Sequence, residues 1–250
     1  MTPEAPRQFP KIRTLGVCGI LVTFADKLSE PANRAALSFR ATVDVADISG
    51  IQETSMSLTS VFVEFDPLAI AHDEIMARLA VLLDERDWYA APLPAGRQHF
   101  AIPAVFSGTL APQLDEAAKA AGIARETAIE DLTHTRLRVM TIGFAPGQPY
   151  LGELPPAWNI PRQQALTPQV PQGAIVAAIR QLVLFSAPNS TGWRHIGQTA
   201  FQNFRPEAER PFALSPGDEV SFYPIEEGML QDILSENTDG LGGAVVEALP

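Results

Sequence analysis

GFAPGQPYLGELPPAWNIPR, residues 143–162, changes the texture of the whole chain. Seven prolines and glycines fall between Pro146 and Pro161. No helix runs through such a segment, because proline lacks the amide hydrogen and glycine loosens the backbone. Downstream, short apolar runs are broken by turn residues: AIVAAI, LVLF, NSTGW and SPGDEVSFYPI. Short strands joined by tight turns read as a β-barrel or sandwich. Ser215-Pro-Gly-Asp218 places proline and glycine centrally in a turn, and EVSFYPI after it reads as a closing strand.

Upstream, periods of two and of 3.6 residues alternate. The run 14–24 (TLGVCGILVTF) predicts one strand, or two around Gly16 and Gly19. Ser29 and Pro31 open a helix near 31–46, with Ala35, Ala36, Phe39 and Val43 at helical spacing. Val61, Val63 and Phe65 alternate in a strand over 59–65, and a helix carrying Leu68, Ile75 and Leu79 follows. Residues 88–98 read as a linker. Beyond it come a strand at 99–106, helices at 112–121 and 125–132, and a strand at 137–142. The fold class is therefore α+β. A flexible tail spans 1–10, a small α+β amino-terminal domain 11–97, a β-barrel domain 98–225, and an acidic, glycine-containing tail 226–250.

Composition removes several function classes. Among 250 residues, 29 acidic against 18 basic side chains leave a net charge of −11. That field repels phosphate backbones and anionic lipid, so neither nucleic acid nor membrane is an expected partner. The single cysteine, Cys18, cannot form an internal disulfide and reads as a buried, inert thiol. His72, His99, His134 and His195 lack ligand spacing, so no metal site is expected. The start MTPEAPRQFPKIR lacks the features of a signal peptide, and no apolar run reaches membrane-spanning length; a cytoplasmic location is expected. GxSxG, GxxxxGK[ST] and GxGxxG are all absent.

Candidate site residues cluster around the proline-glycine loop with Tyr150, Trp158 and Arg162. Such a loop either packs on itself or lines a site. His134 fits a general base as well as a structural histidine. Trp193, beside Arg194 and His195, fits an anion-holding stack as well as a core side chain. Asp218 fits a turn residue as well as an acid.

In order and spacing, GFAPGQPYLGELP, IPR, VPQGAIVAAI, GWRHIGQT and SPGDEVSFYPI resemble the allophanate hydrolase subunit 1 family. That family includes a subunit of bacterial 5-oxoprolinase, the sporulation kinase inhibitor KipI, and half of the carboxyltransferase region of urea carboxylase. The resemblance covers residues 12–225 and is strongest over 138–225. It implies that the β-rich domain is a cyclophilin-like barrel. It also implies a partner second subunit, adjacent or fused, and a third subunit in 5-oxoprolinase. The implied activity is ATP-dependent opening of the 5-oxoproline lactam to glutamate by the complex, with the chain inactive alone. ATP, with magnesium, enters through the complex. Two alternatives follow from the same family: a carboxyltransferase half acting on a urea-like substrate with a biotin carrier, and a KipI-like inhibitor that binds a histidine kinase without turnover.

Residue by residue, Gly143, Phe144, Pro146, Gly147, Tyr150, Leu151, Gly152, Leu154 and Pro155 fall on the family's GFxPGFxYLGGLP. Pro161 and Arg162 fall on its PR pair, and Gly192, Trp193, Ile196, Gly197 and Thr199 on GGWxxIGRT. The resemblance implies a catalytic His134. It implies substrate or nucleotide binding by Pro146, Gly147, Tyr150, Gly152, Arg162, Gln181, Trp193 and Thr199. Departures are equally specific. Gln113 replaces an aspartate, Leu137 and Gln148 replace aromatics, and Leu182 and Val183 replace threonine and glycine. Glu153 replaces a glycine and Gln198 an arginine. They predict an altered pocket. The final AVVEALP resembles the opening strand of the family's second subunit, and reads either as a fusion junction or as a disordered acidic tail.

Overall fold

The computed structural model describes residues 8–249, so most of the tail expected at 1–10 lies outside the described residues. The chain divides into two units, the first ending at Ala95 and the second beginning at Gly96.

In the first unit the strands are β1 (Lys11–Leu15), β2 (Gly19–Thr23), β3 (Ile51–Ser57) and β4 (Ser60–Phe65), and the helices α1 (Glu30–Val45) and α2 (His72–Asp84). The antiparallel sheet runs β1-β2-β4-β3. Alternation puts Ile20 and Val22 of β2 and Val61, Val63 and Phe65 of β4 in the core, where α1 adds Ala35, Ala36, Phe39 and Val43. The α1 entry follows its cap: Ser29 Oγ accepts from the Ala32 amide at 3.4 Å. Leu68, expected on the apolar stripe of α2, instead precedes that helix and is exposed, while Ile75 and Leu79 are buried. Residues 88–98 do more than link. Trp88 packs edge-on to Phe39 with ring centroids 5.1 Å apart, and the Tyr89 hydroxyl donates to the Phe24 carbonyl at 2.6 Å. Cys18 is half-buried rather than buried, with Sγ 4.0 Å from a Glu64 carboxylate oxygen.

The second unit contains β5 (Gln98–Ala104), α3 (Leu114–Ala121), α4 (Arg125–His134), β6 (Leu137–Ile142), β7 (Pro149–Gly152), β8 (Thr167–Val170), β9 (Ala174–Ala178), β10 (Gln181–Leu184), β11 (Asn189–Thr191), β12 (Arg194–Gln198), β13 (Glu219–Pro224), α5 (Glu227–Glu236) and β14 (Val245–Ala248). Eight strands form one sheet in the order β12-β9-β10-β7-β6-β13-β5-β14, and β8 pairs with β11 separately. Leu114, Ala117, Ala128 and Leu132 of the two middle helices cover its main core, which includes Trp158. The Trp158 indole donates to Asp131 of α4 at 2.8 Å, which fixes the end of the proline-glycine loop.

No continuous ladder closes this sheet into the expected barrel. The edge of β5 from Gln98 to Ala101 is occupied by β14, so β12 reaches only the residue after β5, at an isolated bridge between Val105 and Gln198. The segment 226–249, read as a tail, supplies that edge strand and a helix. Leu230 of α5 is buried with Val105 and Ala200. Gly242 is required on the way to β14, because its φ is +58° and a Cβ there would lie 2.5 Å from the Phe201 nitrogen. Among the described residues no helix is long and apolar enough to cross a membrane.

Candidate functional site

AIVAA and QLVL are apolar without alternation because β9 and β10 are buried on both faces. Ile175, Ala177, Leu182 and Leu184 enter the main core. Ala174, Val176, Ala178 and Val183 point the other way, into a second cluster with Val170, Phe185 and Trp193. Tyr150 of β7 stands opposite Val183 in register and packs on this cluster.

Above it opens a cavity of about 280 Å³, lined by Phe144, Gln148, Tyr150, Arg162, Leu166, Val183, Phe185 and residues 190–193. Trp193 meets the Tyr150 ring edge-on, with centroids 6.0 Å apart at 76°. The Arg162 guanidinium lies 5.2 Å from the Trp193 ring centroid, a cation–π contact. Among the described residues no carboxylate lies within ion-pair distance of Arg162. The site therefore presents an unneutralised cation over an aromatic floor, a chemistry suited to a small anion with a flat apolar body. Phe144, 73% exposed, stands at this cavity with φ +71°, a conformation a bulky side chain adopts only under constraint.

Gln113 holds this geometry from behind. Its Oε1 accepts from the His195 amide at 2.9 Å and from the Thr167 hydroxyl at 3.3 Å. Its Nε2 donates to Gln163 at 2.7 Å and to Glu116 at 3.3 Å. Gln163 in turn donates to the Trp193 carbonyl at 3.0 Å, and its backbone N–H to the Gly192 carbonyl at 2.7 Å. The segment carrying Arg162 is thus tied to the one carrying Trp193. The predicted loss of a carboxylate at 113 is, in the structure, a two-ended amide clamp.

Of the residues singled out from sequence, Tyr150, Arg162 and Trp193 come together at the cavity. The others do not line it. Pro146 and Gly147 shape its flanking loop: Gly147, at φ +68°, approaches so closely that a Cβ would sit 2.8 Å from the Asn203 carbonyl oxygen. Gly152 pairs with Gln181 across β7 and β10, and Gln181 is buried there with no partner on its Nε2. Thr199 lies at a different cavity, of about 300 Å³, beside Gly173, Phe201 and Leu230. His134 is exposed at the end of α4, its Nδ1 2.9 Å from the Glu130 carbonyl of its own helix. Nothing brings it to the cavity that holds the other three. Asp218 is a turn residue: its carboxylate accepts from the amides of Gln98 at 2.7 Å and Ser215 at 2.8 Å, and burial raises its pKa.

The departures at Gln148 and Val183 predicted an altered pocket, and both line this cavity; Phe185 was not singled out, although it stands two residues from Val183. Neither His99 nor His195 is among the residues lining the cavity. Burial lowers the pKa of His195, whose Nε2 is 3.1 Å from the Gly197 carbonyl. Burial, followed by the Arg136 charge, lowers that of His99.

Comparison with known proteins agrees with this architecture. The family profile described as carboxyltransferase domain, subdomain C and D, matches residues 10–214. A 5-oxoprolinase subunit from Bacillus subtilis (strain 168) is 26% identical over 231 residues, 87% of this chain and 93% of that protein. The crystal structure of TTHA0988 matches with a TM-score of 0.70 at 28% identity over 86% of this chain; the chain spans 40% of that solved protein. Urea carboxylase of Kluyveromyces lactis shares the fold, with a TM-score of 0.73 at 19% identity, over 99% of this chain and 24% of that one.

Proposed function

The chain belongs to the carboxyltransferase subdomain C and D family, and from that membership we propose that it is the substrate-holding subunit of an ATP-dependent amide-cleaving complex of the 5-oxoprolinase type. The observation that carries the reading is Arg162, stacked on Trp193 at the cavity and unpaired by any carboxylate of the described residues. 5-Oxoproline is a flat five-membered lactam bearing one carboxylate. Its charge matches the guanidinium, and its ring matches the faces of Tyr150 and Trp193. Orientation of the lactam is what this chain contributes: a fixed carboxylate and a stacked ring leave one amide face open to attack.

ATP with magnesium does not suit this cavity. A triphosphate carries several negative charges, and the lining offers one guanidinium. In this reading the nucleotide belongs to another subunit of a cytoplasmic hetero-oligomer, made with a second subunit, adjacent or fused, and a third. The second unit is read as a cyclophilin-like barrel whose seam is the Val105–Gln198 bridge. A urea-like substrate is the weaker fit, because a neutral molecule leaves Arg162 unmatched. A kinase inhibitor without turnover has no use for a walled cavity with a cation in it.

The test is ADP release by the chain reconstituted with its neighbouring subunits, with and without 5-oxoproline. Stimulation by 5-oxoproline is expected. Arg162→Ala should lower kcat/KM at least about tenfold, the range of a charge-assisted hydrogen bond, with the melting temperature unchanged. A stable, co-purifying complex that 5-oxoproline does not stimulate would refute the reading.

A further inference from the structure

Away from the cavity, three neighbouring strands carry a hydroxyl, an imidazole and a carboxylate on one face. Val220 and Phe222 of β13, and Phe100 and Ile102 of β5, point into the main core. Ser221 and His99 therefore lie on the opposite face of the sheet. Ser221 is half-buried, and its Oγ is 2.8 Å from Nε2 of His99. The other ring nitrogen, Nδ1, lies 3.8 Å from Oε2 of Glu247, which stands opposite His99 in the register of β14 on β5. The Glu247 side chain is 66% exposed, so a small rotation brings its oxygen within hydrogen-bond reach of Nδ1. A proton held on Nδ1 by that carboxylate leaves the Nε2 lone pair free for the serine hydroxyl. The nearer alternative carboxylate, Glu219, is already spanned by Arg97 and Arg136 at 3.3 Å each. Burial and the Arg136 charge lower the pKa of His99, so its ring is neutral at pH 7 and able to take a proton.

We infer that Ser221, His99 and Glu247 form a second reactive site, which hydrolyses small activated esters. Ser221 is the nucleophile, His99 the general base, and Glu247 the positioning residue. The inference does not rest on the amide-cleaving reading above. Oγ bonds to the ester carbonyl carbon as the hydroxyl proton passes to Nε2. The bond from that carbon to the aryl oxide then breaks, and the aryl oxide takes the proton from Nε2. Water next attacks the acyl-serine, with His99 again as base, releasing the carboxylic acid and restoring Ser221. The sum is ester plus water to acid plus phenol. An aryl oxide leaves readily, which suits an open sheet face. Tyr223 and Val245, both exposed on this face, give apolar ground beside Ser221 for a short acyl group. A purely structural hydrogen bond between Ser221 and His99 would react with nothing, so the two cases separate by measurement.

The probe is p-nitrophenyl acetate, with the full chain. Release of p-nitrophenolate is expected, and an acid-quenched sample should carry an acetyl group on Ser221 by peptide mapping. Ser221→Ala and His99→Gln should each lower the rate at least about tenfold, the lower range of general-base assistance. The rate should rise with pH through the pKa of His99, which lies below 6.5. Glu247 raises that pKa, against Arg136 and alongside Glu219, so Glu247→Gln should move the inflection to lower pH as well as slow the reaction. Wild-type rates in Ser221→Ala and His99→Gln, or acetylation of lysines alone, would overturn the inference. An unmoved inflection in Glu247→Gln would remove Glu247 from it. If the Ser221 and His99 variants do not fold, the position of the acetyl group in the wild-type chain decides.

Discussion

At position 113 an amide does what a carboxylate cannot. Gln113 accepts on one end from His195 and Thr167, and donates on the other to Gln163 and Glu116. Gln113→Asp shortens the side chain and turns both donated bonds into oxygen–oxygen oppositions. It should destabilise the second unit by about 1–3 kcal/mol in urea unfolding and leave the unfolding of the first unit unchanged. The residues that build the clamp, Gln163 and Thr167, are ordinary loop residues in sequence and became meaningful only through contacts across 50 and 54 positions. The sequence paired Trp193 with Arg194 and His195 as an anion stack, but Arg194 is held by Glu116 at 2.9 Å and by the Pro161 carbonyl at 2.7 Å, and the cation over the Trp193 ring is Arg162. A pH effect belongs to this scale too. The pKa of His195 is lowered by burial below 6.5, so the unfolded chain binds the extra proton first. The stability His195 allows is complete above pH 6.5 and declines as pH falls toward its folded value. Urea midpoints at pH 7.5 and 5.5 should show that decline, and His195→Gln should reduce it, with the remainder due to His99, whose pKa is lowered in the same direction.

Among the elements, the β9–β10 hairpin has the most unusual turn. Its turn residues, Ile179 and Arg180, have φ values of 46° and 62°, where a branched side chain is strained. The turn is held from outside: the Ile179 and Arg180 amides donate to the carbonyls of Ile160 and Trp158 at 2.8 and 2.9 Å, and the Leu154 amide donates to the Arg180 carbonyl at 2.8 Å. Ile179 is 44% exposed, so little packing compensates its conformation. Ile179→Gly should therefore stabilise the protein by about 0.5–1 kcal/mol in denaturant unfolding. Most strands and helices were legible, and the strand at 137–142 was read to the residue. Among those that were not are β3, α5 and β14. β3 (IQETSMS) is an edge strand that buries only Thr54 and Met56, so it shows no apolar alternation. α5 buries only Leu230, and its acidic residues hid a helix in what read as a tail.

At the scale of the molecule, each unit owns its core. One buried cluster runs from Ile20 to Ala91, and the main cluster of the other from Phe100 to Phe222. Residues 96–250 made alone should unfold cooperatively and keep the tryptophan environment of Trp158 and Trp193, measurable by fluorescence. In sequence the stretch 88–98, read as a linker, spans the junction of the two units at residues 95–96. The open seam was not visible there, because the strand that fills the β5 edge comes from 245–248, after a glycine-rich stretch that resembled a linker.

The two-faced burial of β9 and β10 has a consequence for how this family diversifies. Odd and even positions along these strands answer to separate selection, one set to keeping the chain folded, the other to what the cavity accepts. A change at Val183 alters the cavity side, whereas Leu182 and Leu184 answer to the main core. Ligand preference can then drift through a lineage in single steps, none of which passes through an unfolded ancestor.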